Sequence, residues 1–313
     1  MTIISKELTS QGFYVYIVKS DIPKEKLDKL NGMFVKPKQI AFIIDHDADV
    51  YTEDGRMLLR FRKGVLPMKN IKDAYDNMIQ FARTKTGARG AASGSKIKDI
   101  SVNKRIASNI MGYFDSWTIF HKHVFREIGL KEPPGDVRVT RFTADYPDKW
   151  NKVIPLIRDI DRMYKKLAPK HYKAQKAKAD ETAFKIPGTA FSTVTTNLNV
   201  KTGIHKDSGN LNESFGNLVV IENGKYDGGY TCYPEYGVGV DVRTGDFLAM
   251  DIHQYHGNLP MKKKSKDAER LSLVCYLRQS LWEKSRGSTL KDVDESMIKM
   301  KSIMQTYNSM KKG

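Results

Sequence analysis

The run Arg270-Leu-Ser-Leu-Val-Cys-Tyr-Leu-Arg278 alternates without a break, with Leu271, Leu273, Cys275 and Leu277 on one face and Arg270, Ser272, Val274, Tyr276 and Arg278 on the other. Period two marks a strand. The leucine face requires a core, so the strand belongs inside a sheet covered on that side. The opposite face carries an arginine within an otherwise apolar setting. A buried guanidinium is costly unless an anion meets it, and its planar fork pairs best with a carboxylate through two parallel hydrogen bonds. The chain must therefore fold around an interior that is polar enough to take an acidic ligand.

Upstream, His205 and Asp207 in Thr202-Gly-Ile-His-Lys-Asp-Ser-Gly-Asn210 stand two apart. On an extended backbone both side chains leave the same face and reach one ion. A third ligand comes from His253-Gln-Tyr-His-Gly-Asn-Leu-Pro260, which follows a turn and strand at residues 244–251; His256 is the first choice and His253 the alternative. Two imidazoles and one carboxylate leave three metal positions open, which suits non-haem Fe(II) and O2 rather than structural zinc. His205, Asp207 and His256, followed by Arg270, are in the order that an oxygenase using Fe(II), 2-oxoglutarate and O2 needs. The distal carboxylate of 2-oxoglutarate is the anion that Arg270 would meet, with Ser272 as a second donor.

The 313 residues include 53 Lys and Arg against 36 Asp and Glu, a net charge of +17 that points to a polyanionic partner, nucleic acid being the commonest. Cys232 and Cys275 lie in apolar strand-like runs and form neither a disulfide framework nor a zinc site, as expected in a reducing compartment. No basic-then-apolar leader opens the chain and no apolar run has membrane-spanning length. The expectation is a soluble intracellular protein with no membrane partner.

From the N-terminus, strand-like runs occupy residues 12–18, 39–44 and 50–62, the last with a hairpin turn at Glu53-Asp-Gly55. Asp45-His-Asp-Ala-Asp49 has the wrong spacing for a metal and reads as a solvated turn. Residues 69–83 have helical spacing, with Ile71, Ala74, Tyr75, Met78, Ile79 and Ala82 as the apolar stripe. The glycine-rich stretch 85–94 brings backbone and Arg89 close to an anion, either a DNA phosphate or the second carboxylate of 2-oxoglutarate, or serves as a flexible linker. Residues 105–125 combine a helix with aromatic residues and with His121 and His123, read as core or surface histidines. Residues 131–150, with Arg138, Arg141 and Tyr146, form a basic, aromatic-bearing loop and strand suited to phosphates and bases. A helix over 153–168 ends at Pro169 and leads into the lysine-dense stretch 170–178, a candidate phosphate-facing surface. Strands at 190–200, 216–221 and 229–233, spaced by turn signals, indicate a barrel or jelly roll, and a helix over 290–310 packs on it.

Over residues 164–278 the chain resembles the TET/JBP family of 2-oxoglutarate/Fe(II) dioxygenases, which oxidise the methyl group of 5-methylpyrimidines in nucleic acid. The likeness rests on Met163-Tyr-Lys-Lys-Leu-Ala-Pro-Lys-His-Tyr172, on Ala190-Phe-Ser-Thr-Val-Thr-Thr-Asn-Leu-Asn199, on the His-x-Asp-x-x-Asn form of residues 205–210, and on the Arg-x-Ser-x-Val-x-Tyr form of residues 270–276. The resemblance implies that Arg270 and Ser272 hold 2-oxoglutarate, that Tyr276 stacks on a base flipped from double-stranded DNA, and that Asn210 contacts that base. Arg278 stands where vertebrate members have a base-contacting histidine, so it becomes a base-reading candidate and leaves 5-methylcytosine and thymine both open. The cysteine-rich zinc module of those enzymes is absent. The implied architecture is α+β: a double-stranded β-helix (jelly-roll) core with flanking helices and an N-terminal α/β extension. Residues 1–100 form the extension packed on the core, 101–280 the dioxygenase core with its barrel mainly at 136–280, and 281–313 a C-terminal helix. A protein side-chain hydroxylase with the same iron site, and a DNA-binding barrel without catalysis, are the competing readings.

Overall fold

The computed structural model describes residues 3–20, 22–86, 90–94, 105–117, 125–129, 137–207 and 209–310. Ten strands form one large sheet in the order β1 (Ile3–Leu8), β2 (Tyr14–Val18), β4 (Ala48–Thr52), β5 (Met57–Arg62), β13 (Phe247–Met250), β9 (Gly216–Asn223), β16 (Glu269–Tyr276), β8 (Thr193–Leu198), β6 (Ser108–Ser116) and β7 (Val137–Val139). Only β2 and β4 run parallel. A smaller sheet, β14 (Gly257–Asn258), β11 (Thr231–Tyr233), β12 (Val238–Val240) and β3 (Phe42–Ile44), faces it. A two-stranded ribbon joins β10 (Tyr226–Gly228) to β15 (Met261–Lys263). Two facing sheets beside helices form the double-stranded β-helix of an α+β fold.

β16 occupies the interior position that its alternation demands. It pairs antiparallel with β9 on one side and β8 on the other. Leu271, Leu273 and Cys275 point into a core shared with helices α2 (Met68–Ala82) and α4 (Pro147–Leu167), while Ser272, Val274 and Tyr276 line the space between the sheets. The apolar stripe of α2 is buried at Ile71, Ala74, Met78, Ile79 and Ala82. α4 begins at Pro147, a position where a missing N–H does no harm, and packs Val153, Leu156, Ile157 and Ile160 against the sheet. Pro169 then starts the separate helix α5 (Pro169–Asp180). Because Leu156 is fully buried, Leu156→Ala is expected to cost about 2–5 kcal/mol, measured by chemical denaturation.

A second core lies between the sheets, where Val18, Val50, Leu59 and Phe61 meet Tyr233, Val238 and Val240. The N-terminal strands extend the large sheet directly, through the pairing of Phe61 with Leu248 across β5 and β13. The helix over Leu290–Met310, α7, buries Val293, Met300 and Met304 against Phe114, Val137 and Val139. The remaining α-helices that lie wholly within the described residues are short: α1 (Lys24–Asp28), α3 (Arg141–Asp145) and α6 (Gln279–Ser285).

Two local expectations are corrected. Residues 108–116 form strand β6, not a helix. A register shift between Ile110 and Gly112 interrupts the alternation and buries Met111 and Phe114 three apart, a spacing that imitates a helix in sequence. Asp49 is not part of a solvated turn: it is buried in β4 and pairs with Arg60 at 2.8 Å and Arg62 at 2.9 Å. His121 and His123 lie outside the described residues.

Candidate active site

The segment carrying His205 and Asp207 is not a regular strand, yet it is fixed against residues 252–256 by backbone hydrogen bonds. His205 and His256 exchange both N–H···O bonds at 2.9 Å, and the Asp207 amide donates to the Ile252 carbonyl at 3.0 Å. This pairing brings the imidazole rings to 4.5 Å between centroids. His205 Nδ1 lies 2.7 Å from the Gly203 carbonyl and His256 Nδ1 lies 2.9 Å from that of Gln254. Each Nδ1 therefore carries its proton, which leaves His256 Nε2 as a lone-pair donor; His205 Nε2 lies 3.4 Å from Asp207 Oδ1, a contact that holds that ring above its ordinary range, and it donates a lone pair once its proton is given up. Those nitrogens and the Asp207 carboxylate lie within 4.8 Å of one another. Burial, then the neighbouring His205, pushes His256 down to about 4, so its ring is neutral and ready to ligate. Burial works against the Asp207 carboxylate, but the contact with His205 outweighs it and holds the group below its usual range. Two nitrogen donors and one carboxylate on a shared point fit Fe(II) with an open face.

The triad opens on a cavity of about 680 Å³ between the sheets. At one end lies Arg270, 6 % exposed, whose Nε has no hydrogen-bond partner among the described residues. The carboxylates nearest in charge, Glu222 and Asp241, are taken by Arg243 at 3.0 and 2.5 Å. Burial accordingly pulls the Arg270 guanidinium below its ordinary range. Gly229, at φ +72°, makes room for the side chain, since a Cβ there would come within 2.8 Å of Arg270 Cδ. Asn199, at φ 54°, accepts from the Arg270 amide at 2.7 Å and fixes the strand end. Ser272 lies one pleat further along the same face. An orphaned buried guanidinium beside a hydroxyl fits one carboxylate of 2-oxoglutarate.

Tyr276, Asn210 and Arg278 gather at the other end of the cavity. Tyr276 shares a 2.9 Å hydrogen bond with Thr195, and Asn210 forms a backbone bridge to Arg278. The Asn210 amide nitrogen is buried without a partner among the described residues. Arg278 donates to Asp115 at 2.5 Å.

Comparison with known proteins agrees with this geometry. The Tet_JBP family profile, the oxygenase domain of the 2OGFeDO superfamily, matches residues 128–279. Thymine dioxygenase JBP1 of Trypanosoma brucei brucei (strain 927/4 GUTat10.1) is 30 % identical over 285 residues, covering 87 % of this chain and 31 % of the relative. Residues 128–279 hold the oxygenase domain of the TET/JBP family. The bifunctional helicase and thymine dioxygenase JBP2 of Leishmania braziliensis is 28 % identical over 80 % of this chain and 20 % of its own length. The chain thus spans less than a third of these curated relatives. Among solved structures, NgTET1 in complex with 5mC DNA shares the fold, with a TM-score of 0.53 and 13 % identity over 89 % of this chain and 88 % of that one. TET/JBP membership implies Fe(II), 2-oxoglutarate and O2 as the cofactor set.

Of the residues singled out in the sequence, the TET/JBP chain brings His205, Asp207, His256, Arg270, Ser272, Asn210, Tyr276 and Arg278 to one cavity. His253 does not join the metal cluster; its amide donates to Asp251 at 3.0 Å and it does not line the cavity. Arg89 lies outside the described residues. Arg138 is corrected: it is 6 % exposed and bound to Asp115 at 3.0 Å, so it faces no phosphate. Within the lysine-dense stretch, Lys176 pairs with Asp180 and Lys178 with Glu213, whereas Lys170 and Lys173 are exposed. Sequence reasoning missed Asp115, Thr195 and Gly229. A lone acid in the apolar run Met111-Gly-Tyr-Phe-Asp115 was the available signal for the first.

Among the described residues, no helix is long and apolar enough to cross a membrane.

Proposed function

We propose that this chain hydroxylates the methyl group of a 5-methylpyrimidine in DNA, with thymine the favoured base. The observation that carries this reading is the unpaired, buried Arg270 at one end of a cavity whose other end presents Tyr276, Asn210 and Arg278, with the His205–Asp207–His256 cluster on its wall. The TET/JBP relatives named as thymine dioxygenases support the choice of base.

His205, Asp207 and His256 would hold Fe(II), and Arg270 with Ser272 would orient 2-oxoglutarate. When bound, this pair supplies the O2-dependent oxidation that converts a methyl C–H to C–OH, with release of succinate and CO2. The neutral His256 ring and the Nδ1–carbonyl bonds keep the nitrogen donors aimed without rearrangement. A base inside a duplex hides its edges, so it must be flipped to enter the cavity. Tyr276, held by Thr195, offers a stacking surface, and the orphaned Asn210 amide offers a donor to the polar edge of the base. The division into a 1–100 extension, a 101–280 catalytic core and a 281–313 helix accompanies this reading.

A substrate panel tests it. Succinate release with purified chain, Fe(II) and 2-oxoglutarate should rise on addition of thymine-containing DNA, and should not rise with unmodified peptides. Stimulation by peptide alone would favour a protein hydroxylase, and DNA binding without any succinate would favour a non-catalytic barrel.

DNA binding itself should be strongly salt-dependent given the net charge of +17. Lys206 is exposed at the cavity rim, with its ammonium 4.5 Å from the Tyr255 ring centroid. Lys206→Gln is expected to weaken binding to all sequences alike and to reduce the log–log salt slope by about one, measured by fluorescence anisotropy.

A further inference from the structure

Asp115 sits in β6 outside the cavity and is 1 % exposed. Each of its oxygens holds a guanidinium. Oδ1 accepts from Arg278 Nη1 at 2.5 Å and from the Ser116 amide at 2.8 Å, and Oδ2 accepts from Arg138 Nη2 at 3.0 Å. Arg138 is fixed further by donating its Nε to the Ser116 carbonyl at 3.2 Å. One arginine would neutralise the buried aspartate. The second leaves the cluster, two guanidiniums and one carboxylate, with one net positive charge, and of the three side chains only Arg278 lines the cavity.

A guanidinium has donors and no acceptor. Thymine presents a carbonyl oxygen at position 4, whereas 5-methylcytosine presents an amino group, itself a donor. Holding a guanidinium against the first makes a hydrogen bond; holding it against the second leaves donor facing donor in a desolvated place. The value of such a contact depends on the guanidinium staying where it is. Arginine has a long, flexible side chain; here Arg278 Nη1 donates to Asp115, and the guanidinium also bonds the Tyr276 hydroxyl.

We infer that Asp115 is a positioning residue for base selection: it holds Arg278 at the Tyr276 end of the cavity, so that the site takes a pyrimidine with a carbonyl at position 4 over one with an amino group there. This rests on the function proposed above. Arg138 is the counter-anchor that keeps the Asp115 carboxylate oriented.

The test compares wild type, Asp115→Asn with Arg138→Met, and Arg278→Gln. Asp115→Asn alone would raise the buried cluster to two positive charges, and the added Arg138→Met returns it to one, which protects folding. The first readout is the ratio of kcat/KM on oligonucleotides carrying thymine or 5-methylcytosine at one target position. The second is the ratio of Kd values for the same oligonucleotides measured without iron. Wild type should favour thymine by about 10- to 100-fold in kcat/KM. The compensated variant and Arg278→Gln should each lose at least about 10-fold of that preference, and combining all three substitutions should lose no more than Arg278→Gln alone. A merely structural role would lower turnover of both bases equally and leave the ratios intact. A thymine-preferring wild type whose preference survives in the compensated variant overturns this inference alone. A wild type that oxidises neither base and binds both equally overturns the proposed function and the inference together.

Discussion

Asp207→Ala abolishes turnover, by on the order of 1000-fold or more, while DNA affinity stays within about threefold of wild type. Asp207 is the anionic member of the cluster and lies 3.4 Å from His205 Nε2. Without it two imidazoles remain, too few to retain Fe(II) in a defined geometry. The fold should survive because the segment is held by main-chain bonds between His205 and His256 and between Asp207 and Ile252, none of which needs the carboxylate. His205→Ala should behave in the same way. Iron content by atomic absorption, far-ultraviolet circular dichroism and anisotropy with labelled DNA check the three parts of this expectation. A variant that loses iron and turnover but keeps fold and DNA binding has the predicted phenotype.

Arg270→Met raises the Kd for 2-oxoglutarate at least about 100-fold and leaves the ligand-free protein as stable as wild type, or more stable by about 1–3 kcal/mol. The two halves of this prediction share one cause. A buried arginine in an ion pair stabilises its partner, and removing it strands a charge. Arg270 has no such partner among the described residues: its Nε is orphaned, and the acids nearest in charge serve Arg243. Replacing it with an apolar side chain of similar length removes a desolvated charge and returns nothing to be unpaired. The deficit appears only when the ligand carboxylate should arrive. Isothermal titration with 2-oxoglutarate and urea denaturation without it measure the two halves. Marked destabilisation of the ligand-free protein would show that Arg270 has a structural anion instead.

Much of the site was legible because its chemistry is written into single strands. The alternation of residues 270–278 separated the cavity face from the core face, and the structure keeps that division at Leu271, Leu273 and Cys275 against Ser272, Val274 and Tyr276. The third ligand could be narrowed to His253 or His256 but not decided, because the choice depends on a long-range backbone bridge between 205 and 256 that no local pattern encodes. The union of the N-terminal strands with the large sheet was hidden for the same reason, since β5 and β13 meet across most of the chain length. β6 was misread because its register shift destroys the period on which strand recognition depends. That error also concealed Asp115, whose partners Arg138 and Arg278 lie 23 and 163 residues further along the chain and converge on it only in the folded sheet. The reading of Arg138 as a phosphate contact followed: a basic residue next to aromatic ones looks solvated until its acid is placed.

The most direct measurement is mass spectrometry of nucleosides after the purified chain is incubated with Fe(II), 2-oxoglutarate, O2 and DNA containing thymine and 5-methylcytosine. The predicted result is a new nucleoside heavier than thymidine by one oxygen, formed with wild type, absent without 2-oxoglutarate or with Asp207→Ala, and exceeding any product from 5-methylcytosine. Iron-loaded, folded protein that binds the DNA and consumes 2-oxoglutarate yet leaves both methylpyrimidines unchanged would contradict it.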